Sequence, residues 1–406
     1  MLYEAYQTYA DLTHPACALA GLAAATLASG ARGTNCDAAR AMRAACEVVA
    51  LARLTHQRPP FGIEGVVVDG MPVQVSEEVT MRTPFCSLLH LRRHGISGQP
   101  RVLLVAPMSG HFATLLRGTA QTMLRDHDVY ITDWHNPRDI PLLYGRFGFD
   151  QFVQHVAACL RELGPGTHVV AVCQPTVAVL AAAALMAEDD DPAQPASLTL
   201  MAGPIDARVN PTKVNALATS RPIEWFETTL IGTVPLRYPG ALRRVYPGFV
   251  QLLAFMTMNL ERHEQALRNL YALRARGEHA QADAIQFFYE EYFATMDLAA
   301  DFYLETVDQV FQRFLLAQGE LDVAGRRVQT GAIRRIPLLT IEGERDDICA
   351  IGQTMAAQDL CNSLPPYMRM HHVQTGVGHY GVFNGKRWEG QVYPLVRNHI
   401  YTCTGA

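Results

Sequence analysis

The sequence predicts an α/β fold: a mostly parallel sheet with helices on both faces and an inserted helical cap. Three observations carry this. After Gly98, short apolar runs alternate with amphipathic stretches, the pattern of parallel strands joined by crossover helices. The apolar run at 169–172 ends abruptly at Cys173, and an Ala-rich stretch follows at 177–188. Residues 207–325 then break the alternation with a helical, aromatic-rich block.

Taken in order, residues 1–58 read as a helical segment broken at Gly30, Gly33 and Asn35. Residues 59–206 form the first part of the sheet core. Strands are expected at 63–68, 72–75 and 86–91, the first two joined by the Asp69-Gly70 turn as an antiparallel hairpin. Further strands are expected at 102–106, 129–132, 169–172 and 198–202, with helices at 112–126, 149–163 and 177–188. After the insertion at 207–325, residues 326–406 complete the core with strands at 337–342 and 368–373.

Composition narrows the function. Hydrophobic residues make up 49% of the 406 positions and charged residues 18%, enough for a large core. A net charge of −5 without a basic block argues against a nucleic-acid partner. Lys occurs only at Lys213 and Lys386, and neither has a Schiff-base or phosphate-loop context. The nine cysteines are scattered, with no CxxC, which fits a reducing compartment and supports neither zinc nor a disulfide framework. No GxGxxG after a strand, GxxxxGK[ST] or HExxH occurs, so no metal and no cofactor is expected. The apolar stretch 15–27 lacks a basic leader and is short for a membrane span; neither a signal peptide nor a span is expected.

Cys173 lies in Val172-Cys173-Gln174-Pro175-Thr176, a strand, a sharp turn and a helix start. This layout resembles the nucleophile elbow of α/β-hydrolases, with Cys for Ser and with Ala171 and Pro175 for the flanking glycines. The turn lifts the side chain above the sheet, at a helix N-terminus whose dipole favours a thiolate. Pro175 suits a first helical turn, where an N–H has no partner. The bland alternative is a buried Cys closing a core strand. A base and an orienting acid should follow in chain order. Asp346, three residues beyond Gly343 at a strand end, is the expected acid, with Asp347 and Asp206 as rivals. His379, in the Gly-rich loop 376–381, is the expected base, ahead of His371 and His372. Oxyanion donors are expected from Gln174 and from Met108 and Ser109 in the loop after 102–106. Ser109 is the alternative nucleophile. His111, Trp225, Phe226 and Tyr380 are candidate substrate contacts, and segment 222–226 a candidate surface contact.

With these residues in place, the chain resembles the intracellular polyhydroxybutyrate depolymerases of bacteria. The resemblance spans nearly the whole length and is weakest in the first 50 residues. It rests on Ser109-Gly110-His111, Thr132-Asp133-Trp134, Val172-Cys173-Gln174-Pro175-Thr176, Gly203-Pro204-Ile205-Asp206-Ala207-Arg208, Glu224-Trp225-Phe226-Glu227, Arg243-Arg244-Val245-Tyr246-Pro247-Gly248-Phe249 and Gly378-His379-Tyr380-Gly381. It implies a triad of Cys173, Asp346 and His379, acting in the cytoplasm on amorphous polymer granules and releasing 3-hydroxybutyrate units or oligomers. Water or coenzyme A would resolve the thioester, and the oligomeric state stays open, a homodimer being one option. Two rival readings are an acyltransferase of the polyester-synthase kind and a non-catalytic granule-binding protein of the same fold. Synthases carry Gly-x-Cys-x-Gly, whereas this chain has Ala171-x-Cys173-x-Pro175.

Overall fold

A computed structural model describes residues 2–29, 37–258 and 260–404. The expected breaks at Gly30, Gly33 and Asn35 lie outside these residues. The strands are β1 (Gly65–Val68), β2 (Met71–Arg82), β3 (Cys86–Arg93), β4 (Arg101–Val105), β5 (Asp128–Trp134), β6 (His168–Val172), β7 (Leu198–Met201), β8 (Gly232–Thr233), β9 (Arg244–Tyr246), β10 (Leu298–Ala299), β11 (Asp322–Val323), β12 (Arg326–Arg327), β13 (Leu338–Gly343) and β14 (Arg369–Gln374). Nine of them form one sheet in the order β1-β2-β3-β5-β4-β6-β7-β13-β14.

From β5 onward every neighbouring pair is parallel, while β1, β2 and β3 join antiparallel. With β5 placed between β3 and β4, this is the strand order and direction of the α/β-hydrolase fold, with β1 added at the edge. All residues of β6, β7 and β13 are buried, so helices cover both faces of the sheet. One layer pairs α4 (Phe149–Leu163) with α5 (Thr176–Glu188); elsewhere α3 (Arg117–Met123) meets the last helix, Tyr393–Cys403. The Ala-rich sequence of α5 suits a helix buried on nearly all sides.

Two expected elements differ. The strand expected at 72–75 runs through all of β2, with a bulge between Val79 and Met81. Its outward polar side chains mask the apolar alternation by which strands are read. The helix expected at 112–126 is a 3₁₀ turn at Ala113–Leu116 followed by α3.

The N-terminal segment is a pair of packed helices, α1 (Leu2–Ser29) and α2 (Asp37–Leu51). The Tyr3 hydroxyl donates to buried Asp297 at 2.6 Å, and Tyr6 stacks on Phe249 at 3.9 Å, which ties the start of α1 to the later helices. Expected as a short apolar stretch, α1 is long and apolar enough to cross a membrane by length and composition, and little of it is buried.

Between β7 and β13 lie α6 (Lys213–Thr219), α7 (Ile223–Leu230), α8 (Gly248–Met258), α9 (Leu260–Arg276), α10 (His279–Tyr292) and α11 (Ala300–Thr306). This region also holds short antiparallel pairings, β8 and β10 on β9 and β11 on β12, which two- and three-residue strands hide from any periodicity.

Candidate active site

β6 delivers Cys173 to the end of the sheet. The chain turns there with φ +67° at Cys173, the left-handed region that costs a non-glycine residue roughly 1–2 kcal/mol. Its N–H donates to the Met201 carbonyl at 2.8 Å, and α5 starts three residues on, at Thr176. The neighbouring β7 accommodates this bend only through Gly203: a Cβ there would sit 1.8 Å from Thr176 Oγ1. The half-buried Cys173 is therefore held by strain at the head of a buried helix, as an elbow requires.

β13 leads into the acid loop. Asp346 Oδ1 accepts the N–H groups of Ile348 and Cys349 at 2.9 and 2.8 Å, and its Oδ2 accepts from His379 Nδ1 at 2.8 Å. Buried Glu342 accepts the N–H groups of Gly352, Thr354 and Met355, which fixes the rest of the loop. At Gly343 a Cβ would fall 2.9 Å from Val382 and 3.0 Å from the Val377 carbonyl, so glycine lets the acid and histidine loops close on each other. With Nδ1 held by Asp346, His379 is near enough to Cys173 for the two side chains to interact electrostatically. Burial opposes an imidazolium here, but the Asp346 carboxylate and the Cys173 sulfur outweigh it and hold His379 well above the ordinary imidazole value.

The rivals lie elsewhere. Asp206 is bound by the Arg208 guanidinium at 2.8 and 2.7 Å, which holds its carboxyl below the usual range. Asp347 is exposed. His371 meets Thr340 at 2.9 Å within the sheet.

The loop after β4 carries Met108 and Ser109. Thr132 Oγ1 accepts the Ala106 N–H at 2.9 Å, and the Trp134 indole donates to the Ala106 carbonyl at 2.9 Å, so β5 fixes this loop. Met108, Ser109, Cys173 and Gln174 border one cavity of about 370 Å³. The Gln174 side-chain amide is buried without a partner among the described residues. The rest of the wall is chiefly apolar, from α6, α7, α8 and α11.

Of the candidate substrate contacts, Phe226 is buried and borders this cavity, so it is not available to a polymer surface as expected for 222–226. Trp225 is half-buried, packs edge-on against Phe226 and does not border the cavity. Tyr380 borders a second cleft beside His379. His111 borders neither hollow; it is stacked between Phe255 and Tyr292, and burial pushes it down to about 4. Tyr246 and Tyr303, stacked at 3.9 Å, and Phe255 line the cavity, as some aromatics of the insertion were expected to, together with Gln251, which the sequence did not mark. Aromatic abundance alone signalled the three aromatics, and it did not distinguish pocket from core. Among the described residues no cluster of His, Cys, Asp or Glu could hold a metal ion.

Residues 202–404, half of the chain, match the family described as PHB de-polymerase C-terminus. No curated protein matches. Among solved structures, the chain is similar to carboxylesterases of the Thaumarchaeon Nitrososphaera gargenis (13% identity, 81% of this chain and 99% of that one, TM-score 0.43). It is also similar to a hydrolase from Pseudomonas aeruginosa PA01 (14%, 82% and 98%, 0.43) and to the thioesterase domain from the curacin biosynthetic pathway (12%, 80% and 99%, 0.41). At this level of likeness none transfers an activity. The family match covers the acid loop, the histidine loop and the whole region between β7 and β13; the chain belongs to the PHB de-polymerase family and is an ester hydrolase of the α/β-hydrolase fold.

Proposed function

We propose that the protein is a thiol-dependent depolymerase cleaving ester bonds of amorphous poly(3-hydroxybutyrate) at cytoplasmic granules. One observation carries this reading: a strained Cys173, the Asp346–His379 pair and an apolar cavity lie together. His379 takes the Cys173 proton, and Asp346 holds the imidazole and supports its charge. The sulfur attacks the ester carbonyl, while the N–H of Gln174 and a donor from Met108–Ser109 receive the oxyanion. The C–O bond breaks, the departing alkoxide takes the proton from His379, and a 3-hydroxyacyl thioester stays on Cys173. Water, activated by His379, then releases the acid; coenzyme A could replace water as the acyl acceptor.

The test is Cys173→Ala assayed for soluble 3-hydroxybutyrate released from amorphous polymer, with and without coenzyme A. A loss of about 10³-fold or more is expected, with the melting temperature nearly unchanged. Near-normal rates would return Ser109 to consideration. Granule binding with no release by the wild-type chain would favour a non-catalytic binding protein.

A further inference from the structure

Two hollows meet at the triad, and they differ in charge. Cys173 borders the 370 Å³ cavity, whereas His379 borders a separate cleft of about 770 Å³. Phe255 and Ile348 line both and form the partition. Arg262 on α9 and Arg345 in the acid loop line the histidine-side cleft. Both guanidiniums are exposed, and neither has an ion pair among the described residues. Asp347 faces the same cleft, so among the described residues outside the triad two cations stand against one carboxylate. Burial holds His263, on the same wall, below its ordinary value, and it adds no charge near neutral pH. Among the described residues, the cavity at Cys173 has a single cation, the exposed Lys213.

The chemistry gives these hollows a direction. When the ester C–O bond breaks and the C–S bond forms, the acyl fragment stays on the sulfur. The alkoxide receives its proton from His379, so the alcohol fragment departs on the histidine side. A 3-hydroxyalkanoate chain has unlike ends. The acyl fragment runs toward the free hydroxyl end, and the alcohol fragment runs toward the free carboxylate.

We infer that the arginine-lined cleft is the subsite for the carboxylate-bearing fragment, with Arg262 and Arg345 recognising the anionic end of a short oligo(3-hydroxyalkanoate). A guanidinium suits a carboxylate because its planar N–H groups match the two oxygens. Bound this way, short chains are cut at a set distance from the carboxyl end. The inference rests on the depolymerase reading.

Three forms of the 3-hydroxybutyrate tetramer test it on the full chain: the free acid, its methyl ester, and the free acid acetylated at the hydroxyl end. We expect kcat/KM to be about tenfold higher for the free acid than for the methyl ester, mainly through KM, and little changed by acetylation. The acid-to-ester ratio should shrink in high salt, because exposed charges are screened. Arg262→Gln and Arg345→Gln should each lower the ratio, and the double variant should bring it near one. The ratio does not depend on the fraction of active protein, so it survives a partly folded variant. Lys213→Gln should leave the ratio as in wild type. A wild-type ratio near one, or a ratio abolished by Lys213→Gln alone, overturns the inference while leaving the depolymerase reading intact. Failure to cleave any of the three tetramers overturns both.

Discussion

Asp346→Asn separates a working triad from a buried structural network, because the substitution keeps shape and changes only charge and proton placement. The carboxylate accepts three hydrogen bonds, from Ile348 and Cys349 on one oxygen and from His379 on the other. In the variant the two backbone donors keep the amide oxygen on their side. The amide N–H group therefore turns to His379 and makes its Nδ1 an acceptor. The proton then sits on Nε2, the base has no lone pair for the Cys173 thiol, and the charge supporting the imidazolium is gone. For a serine triad this change lowers kcat by about 10⁴, or about 5.5 kcal/mol. A thiol needs less help than a hydroxyl, so we expect about 10²–10⁴ here, or roughly 3–5.5 kcal/mol. Two of three hydrogen bonds survive, so stability should fall by only about 1–2 kcal/mol. The assay is kcat/KM on a short soluble 3-hydroxybutyrate ester, alongside a thermal melt, with Asp347→Asn and Asp206→Asn as comparisons. The reasoning is refuted if Asp346→Asn stays within tenfold of wild type, or if Asp206→Asn, already neutralised by Arg208, is the more damaging.

Three further outcomes follow from packing and burial. Gly203→Ala should cost several kcal/mol and most activity, since its Cβ would meet Thr176 Oγ1 at 1.8 Å and displace the elbow; a normal melt with normal kcat would show that the elbow can shift. Phe226→Ala should destabilise by about 3–5 kcal/mol, because a buried aromatic is lost from the cavity wall; rates on a soluble ester and on granules should then fall together. A selective loss on granules would instead return segment 222–226 to the surface role. Stability should also fall as pH drops below 6.5. Burial pushes His111, His127 and His168 down to about 4, so between those values the unfolded chain binds more protons than the folded one. Each contributes fully above 6.5 and loses on the order of 1 kcal/mol between pH 7 and 5.5. A melting temperature flat across that interval would contradict it.

The sequence by itself determined the alternation of strands and helices, the elbow at Cys173, and the chain order in which an acid and a histidine must follow. These are local properties: β-branched runs, a turn forced between a strand and a helix, and glycines beside His379. It could rank Asp346 ahead of Asp206 only by spacing and by the family resemblance. Tertiary structure separates them, because Arg208 neutralises one while His379 donates to the other. It also decided that Phe226 faces inward while its neighbour Trp225 is left half-exposed and outside the cavity, a difference between adjacent side chains on a short helix. The paired hollows belong to tertiary structure alone. Their walls come from loops after β4, β6, β13 and β14 and from helices far away in the chain, and no local pattern records which side chains meet across such distances.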